Sequence, residues 1–461
     1  MAQAHRETQK LALRGGLKAV SRIEGKGQPK IGIEEFMAVA ERFGYSPRAR
    51  RQIKAILGKE KPGDGPFLAN YYSGLKESRV QAFERVARET FGSKFAIGVS
   101  SGTGSLHAAF VAAGVGPGAE VVVPAVGFVA TAMAVVEARG VPVFCDVDES
   151  LSMDPAKIAD VVTPRTVALA PTHCAGNVCD MAAIMKVARK HKLKVVEDVA
   201  QAAGARFGGK LAGTFGDLGC FSISAYKIVG GGEGGLVLTD SQRLWDRASQ
   251  LAEGGGLWRP DRFAPPRYEG ELFAGVNYRM SELEAAVDVV QLEKMEPMVN
   301  RFRRVRRSIL ENLKTFREVV SQKYNDPAGD VGYTLRFFPA TMELGAKIVE
   351  ALSAEGVGCG MRGPNANPDW HCYSFMFPVM LKGGPTKNNC PFDCPVYLKE
   401  GGKVRYGRGV CPVADDLYDR VISIYLNQWY TPSDCRNIAR GINKVLAAYC
   451  TPGSSARPWI Q

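Results

Sequence analysis

Short apolar runs alternate with amphipathic helical patterns along the chain between residues 78 and 240. Gly or Pro bounds the runs, and β-branched residues are frequent in them, as in strands. Apolar strands separated by helices are typical of a parallel sheet that is covered on both faces. The pattern therefore predicts an α/β fold with a mainly parallel sheet of seven strands, at residues 96–99, 120–123, 143–146, 166–169, 194–197, 220–223 and 235–238.

Helical patterns flank this region on both sides. Before it, residues 33–43 form an amphipathic stretch, and a second stretch begins at Pro47 after a turn that contains Gly44. After it, residues 279–315 predict one long helix whose first turn begins at Ser281, and residues 432–449 predict a final helix.

These patterns divide the chain into three regions. The segment KEKPGDGPF at residues 59–67 has the Gly and Pro density of a domain boundary. We therefore expect a basic helical extension over residues 1–66, a large domain over residues 67–298 and a smaller α+β domain over residues 299–461.

The composition indicates a folded protein. Hydrophobic residues make up 46% and charged residues 23% of the chain, which excludes wholesale disorder and low-complexity classes. No apolar run reaches the length of a membrane helix, and the start of the sequence lacks the apolar core of a signal peptide. We therefore expect a cytoplasmic protein without a membrane partner.

The net charge and the cysteine pattern bear on whether the protein binds nucleic acid or metal. The formal charge of +12 favours anionic partners in general, and the two predicted helices of the basic extension resemble a helix-turn-helix. Such helix pairs occur in proteins of every kind, so we expect no nucleic-acid partner. Eleven cysteines without an export signal predict reduced thiols, and no paired C-x2-C spacing is present, so we expect no metal.

Ligands of open α/β sheets bind outside the carboxyl ends of the strands. Candidate functional residues lie at three such strand ends. The motif SSGTGS at residues 100–105 is either an ordinary capped helix start or a cradle for phosphate. Asp198, beside Glu197, is placed to bind Mg²⁺, cap the next helix or hold a protonated ring nitrogen. Lys227 precedes a run with five glycines and is either a surface lysine or a partly desolvated amine that forms a Schiff base.

Together these three features are the set that holds pyridoxal 5'-phosphate (PLP). The lysine would bind the aldehyde, the carboxylate would keep the pyridine nitrogen protonated, and the cradle would hold the phosphate.

Four motifs resemble those of the DegT/DnrJ/EryC1/StrS family of sugar aminotransferases. They are EDVAQAAGA at residues 197–205, GDLGCFSISAYK at 216–227, GEGG at 232–235 and GVNYRMSELEAA at 275–286. Their order and spacing hold over most of the chain, from about residue 66 to 450. The resemblance implies a PLP-dependent transferase of fold type I, with a large domain built on a mainly parallel sheet, a smaller C-terminal domain and a homodimer with shared active sites.

The resemblance also implies roles for single residues. Lys227 would be the Schiff-base lysine, and it favours transamination, since members with histidine at this position act as sugar dehydratases. The donor would be glutamate or glutamine, and the acceptor a keto sugar, a nucleotide-linked keto sugar or a keto cyclitol. The remaining cofactor contacts would come from Thr103, Gly104, Phe128, Asp198, Gln201, Ser222 and, across the dimer, Asn277.

Some segments depart from the family pattern. PTHCAGN at residues 171–177, the segment 254–269 and the stretch 362–377 differ from the usual runs, and we expect them to face the substrate. His173, Arg259 and Arg262 are the candidate substrate residues there, since arginine side chains bind phosphate or carboxylate.

Two other classes of function remain open at this point. Asp146 and Asp148 form a D-x-D motif after a strand, as in metal-dependent glycosyltransferases, although that reading leaves Lys227 and Asn277 unexplained. A PLP-binding regulator that uses the basic N-terminal helices on DNA would keep the same cofactor residues.

Overall fold

The computed structural model describes residues 10–22, 31–60, 68, 76–256, 259–363, 368–384 and 386–461. The chain divides into two compact units, residues 1–75 and 76–461. The predicted boundary segment at residues 59–67 lies mostly outside the described residues.

The first unit contains the predicted helix pair. Its helices are Ile33–Arg42 and Pro47–Leu57. The side chain of Ser46 accepts a hydrogen bond from the N–H of Ala49 at 3.2 Å and so caps the second helix. An Arg50–Glu41 ion pair of 2.5 Å joins the two helices.

The second unit is built on a seven-stranded sheet, and each predicted run lies on one of its strands. The order across the sheet is β1-β9-β8-β5-β4-β2-β3. Only β9 is antiparallel to its neighbours, so the sheet is mainly parallel, which confirms the predicted fold class. The strands are β1 Phe95–Val99, β2 Glu120–Pro124, β3 Val141–Cys145, β4 Thr166–Leu169, β5 Lys194–Asp198, β8 Leu218–Ser222 and β9 Gly235–Thr239, with the hairpin β6 Arg206–Phe207 and β7 Lys210–Leu211 outside this sheet.

Apolar side chains project from both faces of this sheet, as the near-continuous apolar runs predicted. Val121 and Val123 belong to one hydrophobic cluster, and Val122 between them belongs to another. Successive residues of a strand point to opposite faces, so each cluster lies on its own side. The α-helices of this unit are Arg79–Phe91, Gly102–Ala112, Ala130–Glu137, Ile158–Val161, Met181–His191, Gln242–Ala252, Glu282–Glu293, Met295–Leu310, Met342–Ala354, Phe377–Met380, Pro395–Lys399, Pro412–Arg420 and Pro432–Tyr449.

A second sheet of four antiparallel strands follows in the same unit. Its order is β10-β11-β13-β12, and a third hydrophobic cluster packs against it. The strands are β10 Val319–Ser321, β11 Thr334–Pro339, β12 Gly360–Met361 and β13 Ile422–Tyr425. The predicted division between a large and a small domain, at residues 298 and 299, falls inside the helix Met295–Leu310.

The long helix predicted over residues 279–315 is wrong as a single element. The structure has two helices, Glu282–Glu293 and Met295–Leu310, which meet at Lys294. Pro297 explains the break, since proline has no N–H to donate and its ring collides with the carbonyl four residues earlier, that of Glu293.

The cysteines behave as the sequence predicted. All eleven are free thiols, and nine of them are buried. Within the described ranges, no helix combines the length and the apolar composition that crossing a bilayer requires.

Candidate active site

Three strand ends meet at one edge of the large sheet. Because β9 runs antiparallel to both β1 and β8, these two strands point the same way, and β5 is parallel to β8. The segments that follow β1, β5 and β8 therefore leave the sheet on the same side, and these segments contain the candidate residues.

The turn after β1 forms a helix start against Ser222, the last residue of β8. Ser101 caps the helix Gly102–Ala112 by accepting a hydrogen bond from the N–H of Gly104 at 3.0 Å. A Cβ on Gly102 would lie only 2.6 Å from the Cβ of Ser222, so glycine is needed for this approach. The contact brings the Ser222 hydroxyl to the helix N-terminus, and Thr103 is exposed beside it.

Asp198 ends β5 with its carboxylate held in place by two donors. The hydroxyl of Thr131 donates to Oδ2 at 2.5 Å, and the N–H of Ala200 donates to Oδ1 at 3.0 Å. The residue is 3% exposed, and no cation pairs with it in the described part of the chain. A fixed, buried carboxylate without a countercharge is suited to hold a cationic group of a ligand.

Glu197, the adjacent carboxylate, is fully occupied by the protein itself. It accepts hydrogen bonds from the backbone N–H groups of Gly213, Phe215 and Gly216 at 2.7 to 2.8 Å. Its remaining partner is Nε2 of His173 at 3.1 Å. Glu197 therefore fastens the loop before β8 to the end of β5, and Asp198 is left for a ligand.

We predict that Glu197→Gln destabilises the fold by about 2–4 kcal/mol, because an amide NH₂ would face buried N–H donors that lose their acceptor. Urea unfolding followed by circular dichroism, on cofactor-free protein, measures the loss. Glu293→Gln, at an exposed helix end, is the matched control and should stay within about 0.5 kcal/mol of the unchanged protein. Equal free energies of unfolding for the two variants would contradict the structural role of Glu197.

Lys227 lies in the wall of a cavity of about 470 Å³ on the same side of the sheet. The turn that carries it is held by a hydrogen bond from its own N–H to the carbonyl of Ser224 at 2.9 Å. Other residues in the wall come from distant parts of the chain: Gln201, Gln291, Tyr333, His371, Tyr425 and Gln428. The cavity thus joins the lysine to residues that follow β5 and to the second sheet.

Gln201 and Asn277 occupy contrasting positions. The side-chain oxygen of Gln201 accepts a hydrogen bond from the N–H of Ala175 at 3.0 Å, which fixes the amide at the cavity wall. Asn277 is exposed, and its side-chain oxygen accepts the N–H of Arg279 at 3.2 Å. Asn277 therefore has an exposed side chain, whereas Gln201 faces the cavity.

Phe128 is 39% exposed, and its ring lies 5.2 Å from the ring of His371, measured between centroids. His371 belongs to the stretch 362–377, which the sequence marked as unusual without naming a site residue in it. No motif pointed to His371, because its place beside Phe128 depends on a contact between remote segments.

The predicted substrate roles of His173 and Arg259 need correction. His173 is fully buried, with Nδ1 accepting the N–H of Cys179 at 3.0 Å and Nε2 bound to Glu197, so neither ring nitrogen is left for a substrate. Arg259 is 7% exposed and donates to the carbonyls of Ala264 and Pro265, which closes its own loop.

Arg262 alone of the three predicted substrate residues has an exposed side chain. It lies on the loop that Arg259 closes. No substrate role for it follows from its position.

The D-x-D motif is also part of the scaffold. Asp146 accepts the N–H groups of Val413 and Ala414 at 3.0 and 2.8 Å and so caps the helix Pro412–Arg420. Asp148 pairs with Lys323 at 2.6 Å. Both carboxylates have partners in the protein, which argues against the metal-dependent glycosyltransferase.

Known proteins resemble this chain in sequence and in fold. GDP-perosamine synthase of Caulobacter vibrioides is 39% identical over 218 residues, which are 47% of this chain and 57% of that enzyme. L-glutamine:2-deoxy-scyllo-inosose aminotransferase of Streptomyces kanamyceticus is 36% identical over 317 residues, 65% of this chain and 73% of that enzyme. The crystal structure of an aminotransferase from Psychrobacter cryohalolentis superimposes with a TM-score of 0.66 at 26% identity, covering 82% of this chain and 93% of that one.

These relatives are enzymes, so the comparisons do not support a DNA-binding regulator. The model of the DegT/DnrJ/EryC1/StrS aminotransferase family matches residues 72–366, well over half of the chain. The chain therefore belongs to the DegT/DnrJ/EryC1/StrS family and is a PLP-dependent aminotransferase.

Proposed function

We propose that this aminotransferase moves an amino group from glutamate or glutamine to the ketone of a sugar, a nucleotide-linked sugar or a cyclitol. The observation that carries the proposal is the cavity at Lys227, which lies on the side of the sheet where the free carboxylate Asp198 and the helix start at Gly102 are found. The relatives act on a GDP-linked sugar and on a cyclitol, which supports both classes of acceptor.

The residues present fit PLP. Its phosphate needs hydrogen-bond donors, and the first N–H groups of the helix Gly102–Ala112, together with the hydroxyls of Thr103 and Ser222, supply them. Its pyridinium nitrogen needs a fixed anion, and Asp198 is one. Its aldehyde needs an amine, and Lys227 supplies it.

PLP supplies the electron sink of the reaction and carries the amino group between the two substrates. The protein residues do the rest. Lys227 would hold the aldehyde of the cofactor and would move the proton of the reaction as base and acid. Phe128 would contact the cofactor ring, and Gln201, whose side chain is fixed by the N–H of Ala175, would contact a ring oxygen. Asp198 would keep the ring nitrogen protonated.

The homodimer is part of the proposal. Asn277 is exposed, and Tyr226, next to Lys227, is 99% exposed. A second copy of the chain would cover such a large aromatic side chain and would bring its Asn277 to the phosphate of this site.

The visible absorption spectrum tests the proposed function. Protein loaded with PLP should show a band of the lysine-bound cofactor, and L-glutamate or L-glutamine should convert it to the pyridoxamine form, while L-alanine serves as the comparison donor. The conversion identifies the donor directly. A band that resists all three amino acids would contradict transamination from these donors.

A further inference from the structure

A histidine and a carboxylate in the cavity wall have no role in the function proposed so far. His371 lies in the wall of the Lys227 cavity. Its Nδ1 and its backbone N–H both lie 2.9 Å from Oδ1 of Asp369. The hydroxyl of Tyr418 donates to the other oxygen of Asp369 at 2.7 Å. The carboxylate is therefore fixed from two sides, and it fixes the imidazole.

Backbone hydrogen bonds hold this pair against the segment that follows β2. The N–H of Gly127 donates to the carbonyl of His371, and the N–H of Tyr373 donates to the carbonyl of Ala125, both at 2.9 Å. The two segments thus run antiparallel for a short distance. His371 is placed beside Phe128 by the main chain, and this position does not depend on the contact between the two rings.

The hydrogen bonds also fix which ring nitrogen carries a proton. Burial alone would raise the pKa of Asp369, but the hydrogen bonds from His371 and Tyr418 outweigh it and hold that pKa well below its usual range. Asp369 is thus a carboxylate at neutral pH and accepts from Nδ1–H. The imidazole, 39% exposed, keeps Nε2 for a ligand. In catalytic acid–base pairs, a carboxylate orients a histidine in this same way.

Amination of a ketone needs proton transfers at oxygen and at nitrogen, in addition to the transfer between carbon atoms that is assigned to Lys227. The amino nitrogen bonds to the carbonyl carbon, the C–O bond breaks, and the oxygen leaves as water. Both hydrogens of that water come from the amino nitrogen, so a group that gives one proton to oxygen and takes one from nitrogen ends the turnover unchanged. Lys227 already moves the proton between carbon atoms in the same half-reaction.

We propose that His371 is a second proton-transfer residue of this site, with Asp369 as the positioning residue. Its Nε2 takes a proton from the amino nitrogen as that nitrogen bonds to the carbonyl carbon, and then delivers this proton to the departing oxygen, so that the imidazole ends the turnover neutral with its proton on Nδ1. The inference rests on the proposed function, because it assigns the residue a step of that reaction. Groups that face the imidazole are the carboxylate of Asp369, the phenol of Tyr418 behind that carboxylate, and Lys227 across the cavity.

The test uses the keto acids of the two proposed donors, 2-oxoglutarate and 2-oxoglutaramate, each mixed with the pyridoxamine form of the enzyme in a single turnover. We expect His371→Ala to slow the conversion about 10²–10³-fold, within the usual range for general acid–base catalysis, and added imidazole to restore part of the rate. The dissociation constant for PLP should stay within about threefold of that of the unchanged protein, and the absorption band of the lysine-bound cofactor should be present, because a proton-transfer role leaves binding intact. His191→Ala, on the helix Met181–His191, is the matched control.

A second readout needs no cofactor. The chain has five histidines, so ¹⁵N spectra of histidine-labelled protein are simple, and the His371→Ala spectrum assigns the signal of interest. We expect His371 to carry its proton on Nδ1, and Asp369→Asn to change that signal and to slow the turnover.

The outcomes separate the two proposals. If the unchanged protein does not convert either 2-oxoglutarate or 2-oxoglutaramate, the proposed function fails. If it does, an unchanged rate in His371→Ala, a rate that imidazole does not restore, or a loss of PLP binding would each overturn the role of His371.

Discussion

The Lys227→Ala variant is expected to lose at least about a thousandfold in the rate of amino transfer, the largest single effect in the protein. Lys227 has two tasks in the proposed reaction, since it binds the cofactor aldehyde and then moves a proton. Alanine supplies no amine for either task. Single-turnover absorbance measurements with L-glutamate or L-glutamine give the rate, and the band of the lysine-bound cofactor should be missing in the variant.

A control separates this effect from a general loss of charge. Lys190→Ala removes an exposed lysine from the end of the helix Met181–His191 and should leave the rate unchanged. A Lys227→Ala protein that still shows the lysine-bound band would mean that another amine holds the cofactor.

The second large effect is expected from Asp198→Asn, with a loss of about 10²–10³-fold in the same rate. Asparagine preserves the shape of the side chain, and its one oxygen can still accept the N–H of Ala200, while its NH₂ group can donate to the hydroxyl of Thr131. It carries no negative charge, so it does not keep the ring nitrogen of PLP protonated. The absorption band should remain, because Lys227 is intact, while the conversion by donors slows.

Thr131→Val provides the graded comparison for Asp198. It removes the donor 2.5 Å from Oδ2 and leaves the carboxylate in place, so we expect a loss of about tenfold. Equal rates for Asp198→Asn and the unchanged protein would contradict the assignment, and an equal loss in Thr131→Val and Asp198→Asn would show that position matters more than charge.

Glu197 and His173 hold the geometry of the site, although neither residue has a group left to bind a ligand. Glu197 collects the N–H groups of the loop before β8, and His173 connects it to the segment that follows β4. Glu197 precedes Asp198 on β5, and the backbone N–H of His173 donates to the carbonyl of Asp198 at 3.0 Å. The buried network therefore positions the neighbouring strand ends relative to one another, and its loss acts on stability before it acts on chemistry.

The sequence predicted the architecture well because local periodicity controls local structure. The seven apolar runs each lie on a strand of the large sheet, and the helix predicted over residues 432–449 is present as Pro432–Tyr449. The one long helix failed because Pro297 acts through backbone geometry that hydrophobic periodicity does not register. The antiparallel direction of β9 likewise has no local sequence signal, since pairing direction depends on how the chain returns to the sheet.

The candidate site was predictable only as far as its residues lie in local motifs. The SSGTGS turn, Asp198 and Lys227 stand at strand ends, and the sequence by itself determined that they share one edge of a parallel sheet. The resemblance had already selected Asp198, and the structure shows why the adjacent Glu197 is not free: neighbouring residues of a strand point to opposite faces, and only one face meets the loop that occupies Glu197. It turned His173 and Arg259 into scaffold residues, and it brought His371 to Phe128. Those outcomes depend on contacts between segments far apart in the chain, which no pattern of neighbouring residues encodes.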